Sequence, residues 1–122
     1  MLTNRKIAIV GSREFGNYLQ LKREIEGLYI EGDWLVSGGA KGADSMAQRL
    51  AKEKGLPIII FYPNWKGKEG RGAGFLRNKQ IVENSDMVLA FYQKGRFQEG
   101  GTANTISWCR KLNRPFTEYE EE

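Results

Sequence analysis

Leu35-Val36-Ser37-Gly38-Gly39-Ala40-Lys41-Gly42-Ala43-Asp44 reads as the end of a strand, a glycine turn and the opening of a helix. Trp34, Leu35 and Val36 close a short buried strand, which Ser37, Gly38 and Gly39 end. From Gly42 and Ala43 onward, Met46, Ala47, Leu50 and Ala51 recur at helical spacing. The free N–H groups of a helix's first turn, together with its dipole, favour an anion. Glycine lets a ligand come closer to the backbone than a Cβ would allow. Ser37 and Lys41 add a hydroxyl and a cation. The competing explanation is that the glycines serve only the backbone conformation of a tight turn. Neither standard phosphate motif is present. A P-loop needs Gly-Lys-Ser/Thr, and Lys41 is followed by Gly42; a dinucleotide fingerprint needs G-x-G-x-x-G, and position 37 is Ser. If this turn cradles phosphate, Gly39→Val or Gly42→Val removes binding and leaves the fold intact.

Working outward, Ile7-Ala8-Ile9-Val10 is an apolar run within a strand at 6–10, ended by Gly11-Ser12-Arg13. Asn17 is placed to cap a helix with Tyr18, Leu21, Ile25 and Leu28 on one face. Gly32 and Asp33 turn into the strand at 34–37, and the second helix ends at Lys54-Gly55. Residues 57–62 read as a third strand. Residues 63–74 have no period, hold four glycines and three cations including Arg71, and read as a flexible basic lid. A helix over 75–84 with Arg77 and Asn78 near its start, a strand over 86–92, a polar loop over 93–99, a helix over 102–112 and a strand over 115–119 complete the chain.

Strand and helix alternate throughout. That order implies one α/β domain of Rossmann type, a mostly parallel open sheet with helices on both faces. The domain is expected over 1–117, with a solvated acidic tail at 118–122. The turns at 11–13, 37–42, 63–74 and 99–102 all follow strands and meet at the C-terminal edge, where open α/β sheets bind ligands.

At 122 residues the chain is one domain by size. No apolar run approaches the ~18 residues of a membrane span. A single cysteine, Cys109, excludes an internal disulfide and fits a cytoplasmic setting. With no histidine, a zinc site or a Ser-His-Asp mechanism is disfavoured, and no metal is expected. Glu118, Glu120, Glu121 and Glu122 crowd the end of the chain; removing these four from the 15 acidic residues leaves 11 against 19 basic, a net of +8. Such a body favours anionic partners: nucleotide, polynucleotide or phosphometabolite.

Gly11-Ser12-Arg13, the 37–44 turn, Phe61 with Trp65, Ala73-Gly74 with Arg77-Asn78, Asp86, and Gly100-Gly101-Thr102 together resemble the YspA-like branch of the SLOG superfamily, over roughly residues 6–112. That superfamily also holds the lonely-guy phosphoribohydrolases and the DNA-processing protein A family. The resemblance implies a Rossmann-like sheet, a pocket for a nucleotide or nucleotide-derived ligand, and a setting in bacterial stress or phage-conflict signalling. It also implies homo-oligomers built through sheet-flanking helices, here through Trp108 and Tyr18. The hydrolases carry an arginine matched by Arg77 and a Gly-Gly-x-Gly-Thr-x-x-Glu motif; Thr102 matches the threonine, but Thr105 stands in place of the glutamate. Glu99, and otherwise Glu14 or Asp44, are the remaining candidates for a catalytic carboxylate beside Arg77.

The expected activity is therefore binding of a nucleotide-type ligand by a sensor, carrier or sequestering protein, with no other cofactor. Gly38, Gly39, Ala40, Lys41 and Gly42, with Gly100, Gly101 and Thr102, are expected to hold phosphate. Arg13, Lys41, Arg71 and Arg77 would neutralise it, Asp44 or Asn78 would bond ribose, and Trp65 or Phe15 would stack on a base. Gly11, Ser12 and Ser37 complete the site. A phosphoribohydrolase is the first alternative. A single-stranded nucleic-acid binder is the second, for which the sequence offers no aromatic platform on a strand.

Overall fold

The computed structural model describes residues 4–68 and 70–122, apart from the Arg71 side chain. Five strands form one sheet: β1 (Lys6–Gly11), β2 (Trp34–Ser37), β3 (Ile58–Ile60), β4 (Met87–Tyr92) and β5 (Phe116–Glu120). The order is β3-β2-β1-β4-β5, and every described pairing is parallel. Four helices make the crossovers: α1 (Tyr18–Leu28), α2 (Ala43–Lys54), α3 (Ala73–Glu83) and α4 (Gly101–Lys111).

Strand periodicity sorts the core into two layers. Ile7 and Ile9 of β1 face α1 and α2, packing with Leu21, Ile25, Leu35, Leu50 and Phe91. Ala8 and Val10 face the other way, toward Ile81 and Val82 of α3 and Ile106 and Cys109 of α4. The expected helices therefore cover both faces.

Local signals act as read. The Asn17 side chain accepts from Gln20 N at 3.0 Å and caps α1. Gly55 ends α2 in the left-handed conformation at φ 69°. β3 is shorter than expected. Pro57 has no N–H to give the ladder, and beyond Phe61 the chain leaves the sheet so that Tyr62 lies over Gly39.

The acidic end of the chain is built into the fold, and the boundary expected at residue 117 falls inside β5. Glu118 accepts from the Tyr92 hydroxyl at 2.7 Å and from Gln98 at 3.1 Å. Glu120 accepts from Gly95 N at 2.9 Å, and Glu121 from Gly16 N at 2.9 Å. These carboxylates find backbone donors in the loops beside them, so they are not simply solvated. The Tyr18 ring lies under Arg49, 3.8 Å from its guanidinium carbon, and the Trp108 ring centre is 5.2 Å from Lys79 Nζ and 4.7 Å from Lys111 Nζ.

Candidate functional site

Strand order reverses between β1 and β4, and there the crossover helices leave the sheet on opposite faces. The crevice this opens at the C-terminal edge is where such sheets take ligands. A cleft of about 410 Å³ lies at that place. Of the residues singled out from the sequence, Gly11, Ser12, Arg13, Ala40, Asp44, Arg77, Asn78, Gly100, Gly101 and Thr102 line it, as do Glu14 and Glu99. Ser37, Gly38, Gly39, Lys41, Gly42 and Trp65 do not. The Arg71 side chain lies outside the described residues.

The turn before α2 is not the phosphate cradle its glycines suggest. Asp44 Oδ2 accepts from Gly38 N at 3.0 Å and from Ala40 N at 3.3 Å, and Ser37 Oγ accepts from Gly39 N at 3.3 Å. The loop's own side chains have taken the Gly38, Gly39 and Ala40 amides. The glycines answer a different demand. A Cβ on Gly39, at φ 70°, would strike the Tyr62 ring; one on Gly42, at φ 76°, would strike the Ser12 and Arg13 carbonyl oxygens. One on Gly38 would lie 2.7 Å from Arg77 Nη1. Each glycine admits a neighbouring piece of the protein.

The start of α4 differs. Like Gly42 of α2, its N-cap Gly100 makes no side-chain capping bond, but its first turn carries no acidic residue, where that of α2 carries Asp44. A Cβ on Gly100 or Gly101 would meet nothing within 4 Å. An uncapped helix N-terminus thus faces the cleft, with buried Thr102 beside it. Gly11 serves packing instead, since a Cβ there would meet Phe91 O and the Ala43 side chain.

α3 begins at Ala73, two residues before the expected start, so Arg77 lies a full turn inside the helix. Its Nη1 donates to Gly38 O and its Nε to Asn78 Oδ1 at 3.1 Å. Asn78 Nδ2 donates to Asn104 Oδ1 at 3.1 Å and Gly101 O at 3.4 Å. Arg77 and Asn78 therefore tie the α2 turn to the α4 terminus. Burial lowers the Arg77 pKa, against the opposing pull of Asp44. Ser12 ties β1 to β4: its N–H donates to Phe91 O at 2.9 Å and its Oγ accepts from Gln93 N at 3.0 Å.

Val10, Ile81, Gln93 and Arg96 also line the cleft without belonging to any site motif of the sequence, and Thr105, the replacement of the hydrolase glutamate, lines it too. Arg96 was the most legible of them, being a cation in a polar loop at the ligand edge. It pairs with Glu99 at 3.1 Å, just ahead of the α4 terminus. Thr105 is buried in the wall where the hydrolase glutamate would stand. Phe15, proposed for stacking, is 2% exposed, and its ring packs on Phe91 in the core. The loop at 63–74 contributes no described residue before Ala73 to the cleft. In place of a structureless lid, its end winds into a 3-10 turn, Gly70–Gly72, that leads into α3.

The cleft is electrically mixed, with Arg13, Arg77 and Arg96 against Glu14, Asp44 and Glu99. Asp44 is the most perturbed of these. Burial pushes its carboxyl from 3.8 up to about 6, although the Ala40 and Gly38 amides and Arg77 pull the other way. The native carboxyl thus keeps its proton to higher pH than the unfolded one, so its contribution to folding is complete below about pH 4 and lost as pH rises through 6. Wild type should lose roughly 2–2.5 kcal/mol relative to Asp44→Asn between pH 4 and pH 7. Urea unfolding of both proteins at the two pH values checks this; parallel curves would show that Asp44 does not titrate in that window.

A family profile described as YspA, cpYpsA-related SLOG family matches residues 5–67, just over half of the chain. The chain belongs to that family. Among curated proteins none matches. Two solved structures share the fold. DNA processing protein A from Streptococcus pneumoniae has a TM-score of 0.73 at 23% identity, covering 93% of this chain and 50% of its own. DNA processing protein A from Helicobacter pylori, described for its unique single-stranded DNA binding mode, has a TM-score of 0.69 at 23% identity, covering 95% of this chain and 65% of its own. The chain thus spans between half and two thirds of these relatives, and the likeness concerns the fold. The family match ends before α3, so it reaches the Asp44 turn and not Arg77, Asn78 or the α4 terminus.

Proposed function

We infer that the cleft binds a nucleotide or nucleotide-derived ligand, with its phosphate on the N-terminus of α4. The observation that carries this reading is the contrast between the two glycine turns. Neither helix has a side-chain cap, but the Gly38, Gly39 and Ala40 amides ahead of α2 are occupied by Asp44 and Ser37 and Gly42 lies against the Ser12 and Arg13 carbonyls, whereas the α4 terminus is open and in the cleft wall. Helix N-termini of this kind favour phosphate. Arg13 and Arg96 flank the same cleft and supply neutralising charge. Arg96 would exchange its exposed pairing with Glu99, a weak interaction in water, for a charge-assisted bond to phosphate.

A second reading, a single-stranded nucleic acid, is favoured by a separate observation. Tyr62, Trp65 and Phe75 are 66%, 56% and 57% exposed. Tyr62 lies over Gly39, and Trp65 packs on Gly74, where a Cβ would come within 3.1 Å of its ring. Lys66 and Lys68 stand exposed alongside. Aromatic faces interleaved with cations are how single strands are held, and the Helicobacter pylori relative is described for binding single-stranded DNA.

Calorimetric titration with a panel of nucleoside monophosphates and with a short oligonucleotide tests both. Nucleotide binding that persists in Trp65→Ala supports the cleft. Affinity confined to the oligonucleotide, with steep salt dependence and loss in Trp65→Ala, would replace it by the second reading.

A further inference from the structure

Asp44 is 4% exposed, yet it lies in the cleft wall. Its Oδ2 is held by two backbone amides, and its Oδ1 has no hydrogen-bond partner among the described residues. Arg77 does not close an ion pair with it either, although both groups flank Gly38. An immobilised acceptor therefore faces the cavity without a donor. Oδ1 keeps contact with the solvent of the cleft, so a ligand donor there would take the place of water.

We propose that Asp44 Oδ1 accepts hydrogen bonds from the ribose hydroxyls of the ligand, which makes the site selective for ribonucleotides over deoxyribonucleotides. The proposal rests on the phosphate reading of α4, because that end fixes the direction of the ligand. Gly101 O, Asn78, Arg77, Gly38 and Asp44 form one continuous chain of hydrogen bonds across the cleft. A phosphate at the first end is kept from the second by the Asp44 charge. The donor at that second end is neutral, because a cation there would sit beside the half-buried Arg77 guanidinium. Asn78, the other candidate for ribose, is spent: its Oδ1 takes Arg77 Nε, and its Nδ2 serves Asn104 and Gly101. Sugar hydroxyls, carried a few bonds from a 5′-phosphate, meet all three conditions.

Asp44→Asn is a sharp test because the backbone dictates how the amide sits. The Gly38 and Ala40 N–H groups need an acceptor, so the amide oxygen turns to them and the NH2 faces the cleft. The turn stays tied while the cleft acceptor becomes a donor. The probes are AMP and dAMP, with ribose 5-phosphate and 2-deoxyribose 5-phosphate as a pair that has no base. In wild type, each ribo compound should bind about 10- to 100-fold more tightly than its deoxy partner, the range of a hydrogen bond to a charged group. In Asp44→Asn the ratio should fall to near one. Equal wild-type affinities within both pairs, with binding lost in Gly101→Asp, would overturn this inference and leave the phosphate site standing. Binding indifferent to Gly101→Asp, or none by any of the four probes, would overturn both. The wild-type comparison decides the question even if Asp44→Asn fails to fold.

Discussion

Gly101→Asp should keep or raise thermal stability while reducing affinity for nucleoside monophosphates about 100-fold, the upper range of a charge-assisted hydrogen bond. Position 101 opens α4, and a Cβ there meets nothing within 4 Å. An aspartate in a first helical turn interacts favourably with the dipole by about 0.3–1 kcal/mol. Aspartate ranks only slightly above glycine in helix propensity, so the backbone adds roughly 0.1–0.3 kcal/mol. The same carboxylate occupies the ground a phosphate needs and repels it. Stability and binding therefore move in opposite directions, which general damage to the fold cannot reproduce. Thermal melts and calorimetry on one preparation check the result. Undiminished affinity would place the phosphate away from α4.

Gly42→Val should be destabilised by about 3–5 kcal/mol, from positive-φ strain of roughly 1–3 kcal/mol and overpacking of similar size. The sequence alone predicts that this substitution removes ligand binding and leaves the fold largely intact. The structure reverses that expectation. Gly42 sits at φ 76°, and a Cβ would meet the carbonyl oxygens of Ser12 and Arg13. The glycine lets the α2 turn lie against the β1–α1 loop. Urea unfolding measures the loss, which is a large part of the ~5–15 kcal/mol that holds a typical domain together. A variant as stable as wild type but unable to bind would make this turn a phosphate cradle after all.

The architecture of this chain was legible because its signals are local. Ile7-Ala8-Ile9-Val10 marks a strand buried on both faces, Asn17 caps α1, Gly55 ends α2, and alternation of strand and helix implies the parallel sheet. The same alternation brought most of the expected site residues to one edge without any knowledge of distances. Boundaries drifted where a distant group intervened. β3 ended early as Tyr62 turned onto Gly39, and the acidic end joined β5 as its carboxylates met loop amides.

By itself, the sequence determined the fold class, the two glycine turns and the edge on which they meet, since backbone periodicity and chain order suffice for these. Which turn is open to a ligand was decided only by tertiary structure. Glycine allows close approach equally to a phosphate, an aromatic ring or a neighbouring carbonyl, and nothing in Gly38-Gly39 or Gly100-Gly101 says which will arrive. Asp44, from within the first turn of its own helix, claimed the amides of one turn; no carboxylate occupies the first turn of α4. Satisfying a backbone N–H depends on which acceptor the folded chain brings within about 3 Å, and that is a property of three-dimensional packing.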